Sequence, residues 1–122
     1  MARKHIQQMS KAESAFIHGW LRSSKREYTG TAHYTDRASE RHFTFQDVVQ
    51  AVRTGLVVEV HNDKALALRA VVRDSKGTCV VVELTSQRII SVYYNDPEDK
   101  HDTINWAPYR WNQDIVELVK SL

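Results

Sequence analysis

The sequence predicts an α+β fold: N-terminal helices packed on one face of a four-stranded antiparallel β-sheet, with a C-terminal helix closing an end or an edge. Three observations carry that expectation. Apolar residues recur at helical spacing up to Gly55, the period drops to two from Leu56 to Tyr94, and helical spacing returns from Ile115. No internal repeat interrupts the pattern, and 122 residues suit a single domain, 1–122. That domain divides into a basic N-terminal helix over 1–27, a helix-helix-four-strand core over 28–94, and an acidic loop, aromatic segment and helix over 95–122.

Each element has its own warrant. Ser10 followed by Glu13 is a capping-box pair, and Ala12, Phe16, Ile17, Trp20 and Leu21 continue a helical stripe to about Arg26. Residues 31–41 lack Gly and Pro and carry Ala32 and Ala38, which predicts a short second helix with His42 at its end. Thr44 opens a third helix, with Asp47 placed to answer the cap, Phe45, Val48, Val49 and Val52 on one face, and Gly55 ending it in a left-handed turn. Segments 56–61, 65–73, 78–84 and 89–94 are rich in β-branched and aromatic residues and read as strands. Turn clusters at Asn62-Asp63, at Ser75-Lys76-Gly77 and over 85–88 are short enough to join them as a meander. In the second strand Leu66, Leu68, Ala70 and Val72 alternate with Arg69, Val71 and Arg73, giving one packed face and one more open face. Ile115, Val116, Leu118, Val119 and Leu122 form a terminal amphipathic helix capped by Asn112 or Asp114.

Composition removes several classes of protein. With 42% hydrophobic and 26% charged residues, 4 Gly and 2 Pro, the chain is not collagen-like, low-complexity or fully disordered. Its single cysteine, Cys79, forms no internal disulfide and no cysteine zinc site, so a reducing, cytoplasmic setting is expected and Cys79 reads as structural. The basic start, Met1 to Lys4, leads into polar residues and not into a signal peptide's apolar stretch, and no run approaches the roughly 20 apolar residues that span a bilayer. His5, His18, His33, His42, His61 and His101 show no paired-ligand spacing, and neither a serine elbow nor a glycine phosphate loop is present. No metal and no cofactor are expected.

The formal charge of +2 is unevenly spread. Residues 1–30 hold Arg3, Lys4, Lys11, Arg22, Lys25 and Arg26 against Glu13 and Glu27. Arg22, Lys25 and Arg26 are candidate phosphate contacts, although a solvated helix face accounts for the same scatter. Asp96, Glu98, Asp99 and Asp102 around Pro97 read as an exposed acidic loop.

Candidate chemistry centres on the second helix. His33, Arg37, Glu40 and Arg41 fall at i, i+4, i+7 and i+8, so a helix projects all four from one face. Phosphodiester cleavage needs a proton acceptor, a proton donor and fixed positive charge where the phosphorane develops, and this set supplies them. Asp36, Glu40, Arg37 and Arg41 also have the spacing of ordinary surface ion pairs. Tyr93 and Tyr94 at the end of the fourth strand face opposite sides, and stacking on RNA there requires Arg69, Arg73 and Arg88 to share the open face. Trp106, Tyr109 and Trp111 either cap the sheet or, if exposed together, form a protein-binding hot spot.

The string Ala32-His33, Arg37, Arg41, Val48-Val49, Gly55, Glu59, then Val71, 80–82 and Ile90-Ser91-Val92-Tyr93 resembles a family of small bacterial and phage domains of unassigned function. The likeness covers roughly residues 28–94, with Ser91 where many relatives carry Thr. Such domains are grouped by fold with barnase, EndoU, colicin and RelE-type metal-independent ribonucleases, many of them toxins. The resemblance implies RNA as substrate, with His33, Arg37 and Arg41 as site residues and Tyr93 behind them. It implies an endoribonuclease-like or toxin-like protein. A non-catalytic small protein, of phage or bacterial origin, that engages a host protein, and a non-specific nucleic-acid binder, stand as alternatives because fold does not dictate function.

Overall fold

The computed structural model describes residues 2–23, 27–62, 68–94 and 114–120, without the side chains of residues 2, 3, 33, 37 and 62. Among these residues, six strands form one mixed sheet in the order β1-β3-β4-β5-β6-β2. The predicted meander is its centre: β3 (Leu56–Asn62), β4 (Leu68–Arg73), β5 (Thr78–Glu83) and β6 (Arg88–Tyr94) pair antiparallel in sequence order. The correction lies at the two edges. β1 (Ala2–His5) adds antiparallel to β3, and the two-residue β2 (Thr29–Gly30) adds parallel to β6.

Neither edge strand carries an apolar alternation that could announce it. After Ala2, β1 is polar, and its inward residue is Lys4, opposite the core residue Val60. Consequently the first residues do not belong to a basic helix. They form β1 and a 3-10 turn over Ile6–Gln8, and α1 spans only Lys11–Arg22. Charged residues on an outer strand also guard a sheet edge against pairing with other chains.

α1 opens with the predicted capping box: Ser10 Oγ accepts from the Glu13 N–H at 3.1 Å, and Glu13 Oε1 accepts from the Ser10 N–H at 3.0 Å. Ile17 and Leu21 are buried, while the Phe16 and Trp20 rings pack against the core edge with Trp20 Nε1 donating to Leu84 O. His18 Nε2 accepts the Val57 N–H at 3.0 Å, so its proton sits on Nδ1 and is given to Ser14 O at 2.7 Å. That bond falls beside the bulge in β3, where register shifts between Val57 and Glu59 and lets both Val57 and Val60 point into the core.

α2 (Ala32–Glu40) and α3 (Phe45–Thr54) follow their predicted bounds closely. The Thr31 hydroxyl caps α2 through the Tyr34 N–H, and the Thr44 hydroxyl caps α3 through the Asp47 N–H. α2 ends in a paired Schellman arrangement: the His42 N–H donates to Ser39 O and the Phe43 N–H to Ala38 O, with His42 at φ 60. A side chain with a Cβ is strained there. His42→Gly is therefore expected to stabilise the chain by about 1 kcal/mol, seen as a higher urea midpoint at unchanged slope. A lower midpoint would mean that the imidazole makes a contact outweighing the strain.

Gly55 does not end α3 in a left-handed turn, because its φ is −77 and its backbone is extended. The left-handed glycine is Gly77, at φ 89 in the β4–β5 turn, where Asp74 Oδ1 accepts from the Lys76 and Thr78 N–H groups. The core lies between the sheet and α1, α2 and α3, and contains the predicted inward residues Leu68, Ala70 and Val72. α4 (Ile115–Lys120) packs on α1 with Ile115 and Val119 buried, and Asp114 Oδ1 caps it through the Val116 N–H, as predicted. Leu66, the Asn62-Asp63 turn and the acidic loop lie wholly or partly outside the described residues.

Candidate functional site

The helix predicted to carry the chemistry exists, and residues 33 and 37 lie within it one turn apart. The side chains of His33 and Arg37 are outside the described residues. Arg41 falls just past the helix end, and its Nη1 donates to the Val92 carbonyl of β6, tying the end of α2 to the sheet. Tyr34 and Ala38 from the same helix are buried in the core, with burial holding the Tyr34 phenol above its ordinary pKa and so neutral. Arg22 Nη2 donates to Gly55 O, an anchoring bond for an otherwise exposed side chain. Lys25, Arg26, Trp106, Tyr109 and Trp111 are outside the described residues.

Lys4 leaves the set of solvated cations altogether. Its Nζ lies 2.8 and 2.6 Å from the two carboxylate oxygens of Glu13, with both side chains more than nine-tenths buried. Burial by itself raises the Glu13 pKa. Hydrogen bonds from Lys4, the Ser10 N–H and the Ile115 N–H, with the Lys4 charge, outweigh that and hold it below the ordinary value.

The face of the sheet turned away from the helices brings together residues that no sequence spacing grouped. Register builds three rungs across it. His61, Arg69 and Glu83 are successive partners in one; Glu59, Val71, Val81 and Ser91 form the next; Leu56, Arg73, Cys79 and Tyr93 form the third. His5 extends the middle rung as the partner of Glu59. Arg88 alternates with inward Ile89 and joins this face beyond the first rung. The condition that Arg69, Arg73 and Arg88 share a face with Tyr93 is met. Tyr94 takes the opposite side and is 62% exposed. Cys79, expected in a core strand, is fully buried, but on this face as the partner of Arg73, not among the helix-facing core residues.

Two features give the face chemical character. His61 Nε2 lies 3.1 Å from Glu59 Oε1, with the two side chains 14% and 17% exposed. The pair lies within ion-pair reach, and Nε2 makes no hydrogen bond of good geometry among the described residues. Directly across from His61, the buried Nε of Arg69 has no hydrogen-bond acceptor among the described residues. His5 is held by its neighbours: its Nδ1 accepts from the Gln7 N–H, which leaves the proton of the neutral ring on Nε2. Glu59 and His61 were the residues missed from the sequence. Their signal was available as two titratable side chains at i and i+2, one face apart from Val60, in an otherwise apolar strand.

Among the described residues no group of three His, Cys, Asp or Glu side chains forms a metal-holding cluster, and no helix is long and apolar enough to cross a membrane. No family model, curated protein or solved structure matches the chain.

Proposed function

We propose that the chain is a metal-independent, RNA-directed endoribonuclease whose reactive groups lie on the face of the sheet turned away from the helices. The observation that carries the reading is the His61–Glu59 contact with Arg69 across from it. Glu59 takes the proton of a ribose 2′-hydroxyl as the O2′–P bond forms, and protonated His61 gives its proton to the departing 5′-oxygen as the P–O5′ bond breaks. Arg69 supplies positive charge to the pentacoordinate phosphorus, while Arg73 and Tyr93 lie two rungs away at the far side of the face. The resemblance of residues 28–94 to ribonuclease-like domains supports the same substrate. It places the histidine on α2, so His33 is the rival for the same role.

The test is cleavage of labelled RNA, including tRNA and structured messenger fragments, in excess EDTA. His61→Ala and Glu59→Gln are each expected to lower the rate by about 10²–10⁴-fold while the melting temperature moves little. Absence of cleavage with or without chelator would sink the enzyme reading. Cleavage that survives His61→Ala but not His33→Ala would return the chemistry to α2.

A further inference from the structure

α1 grips the chain at two backbone groups on either side of Leu56. Arg22 Nη2 donates to Gly55 O at 3.2 Å, and one turn earlier on the same helix His18 Nε2 accepts from the Val57 N–H at 3.0 Å. Between these two points Leu56 is turned out of the core and is 63% exposed. The strand's own alternation favours the opposite arrangement. With Val60 fixed in the core, a regular β3 would set Leu56 and Val58 beside it on the helix side and turn Val57 outward. The bulge between Val57 and Glu59 reverses this, burying Val57 completely and leaving Leu56 in water. Both arrangements put apolar side chains inside, so the bond from Val57 to His18 helps to select the bulged one.

We infer that His18 makes this joint a proton-sensitive switch of register: the neutral imidazole holds the bulge with Leu56 outside, and the imidazolium releases it and lets Leu56 and Val58 turn inward. The geometry sets the sign. Only a ring nitrogen with a free lone pair accepts the Val57 N–H, and Nδ1 already gives its proton to Ser14 O at 2.7 Å. A second proton therefore goes to Nε2, where it points at another N–H. It also places a positive charge one turn from Arg22, a spacing at which like charges repel. The other groups around α1 do not offset this. Ser14 Oγ lies 3.3 Å from Nδ1, and Lys4 and Glu13 are paired with each other. Of the elements packed on α1, β3 carries Glu59 and His61 on its far face, α3 carries Asp47 in its first turn and Arg53 over the Tyr28 ring, and α4 carries the exposed Glu117 and Lys120. The inference goes beyond the RNA reading and does not depend on it.

The experiment is NMR on the full chain at about pH 7.5 and about pH 5, on either side of the range in which histidine ordinarily titrates. At the higher pH the imidazole nitrogen shifts should show the His18 proton on Nδ1, and the Leu56 methyls should show no contact with buried core methyls. At the lower pH the protection of the Val57 amide, corrected for intrinsic exchange, should fall at least about tenfold, and the Leu56 methyls should gain core contacts. His18→Gln supplies an amide oxygen that accepts the same N–H at either pH, so it should keep both the protection and the exposed Leu56 throughout. A proton on Nε2 at the higher pH would overturn the inference on the unaltered chain alone, whatever the variant does. So would an unchanged Val57 amide at the lower pH, a loss of protection without Leu56 turning inward, or the same response in His18→Gln, which would put the sensing group elsewhere.

Discussion

Glu13→Gln is expected to destabilise the chain by about 3–5 kcal/mol, the cost of stranding one member of a buried ion pair. Glu13 does three jobs with two oxygens. Oε1 accepts from the Ser10 N–H and the Lys4 ammonium, and Oε2 accepts from the same ammonium and from the Ile115 N–H. One side chain thus joins the edge strand β1, the start of α1 and the start of α4. An amide retains one acceptor and loses the charge, leaving Lys4 buried against a neutral partner. The double variant Lys4→Met/Glu13→Gln should recover more than half of the loss, because no uncompensated charge remains inside. Equilibrium urea unfolding reads both effects, and a loss under 1 kcal/mol for Glu13→Gln would show that the pair is effectively solvated.

The same carboxylate sets a pH dependence with a definite sign. Its pKa is lowered in the folded chain, so its stabilisation is complete above the ordinary glutamate value and disappears as pH falls through the lower folded value. Acidification below about pH 4 should lower the melting temperature of the unaltered chain more steeply than that of Glu13→Gln, which has already lost the titrating group.

What could be read in the sequence was local. The Ser10–Glu13 box and the Thr44 cap act over three residues, and both appear as expected. The inward set Leu68, Ala70 and Val72 follows from alternation inside one strand. The contacts that could not be read join residues far apart in the chain: Glu13 meets Ile115 across 102 positions, and His18 meets Val57 across 39. β1 was invisible because its inward residue is a lysine whose counter-ion lies on another element. The candidate site on the face turned away from the helices depends on register across four strands, and the bulge at Val57/Glu59 shifts that register by a residue. Arg69 and Tyr93 were singled out individually, but only strand pairing could set Arg69 across from His61 and Tyr93 two strands from Arg73.

Gly55 tests how tightly α3 is joined to the sheet. Because its φ is −77, alanine suits the backbone, and a purely conformational argument predicts no penalty. Space decides otherwise. An added Cβ would sit 2.6 Å from Ala51 O, 2.8 Å from Arg73 O and 2.8 Å from Val72 Cγ1. Two of these three atoms are backbone carbonyl oxygens: one belongs to the last turn of α3 and receives the Gly55 N–H, the other to the end of β4. Neither can swing away as a side chain tip can, so the helix end must lift from the sheet and disturb Val52, Val57 and Val72, all buried to within 1%. Gly55→Ala is expected to cost about 3 kcal/mol, the upper part of the range for overpacking a filled core. Gly19→Ala is the matched control, since a Cβ there meets nothing within 4 Å and the position is inside α1. That variant should gain roughly 0.5–1 kcal/mol through helix propensity. Opposite shifts in urea midpoint for the two alanines would locate the requirement in the close approach of α3 to β4, whereas similar shifts would mean that the junction yields and that α3 is only loosely seated.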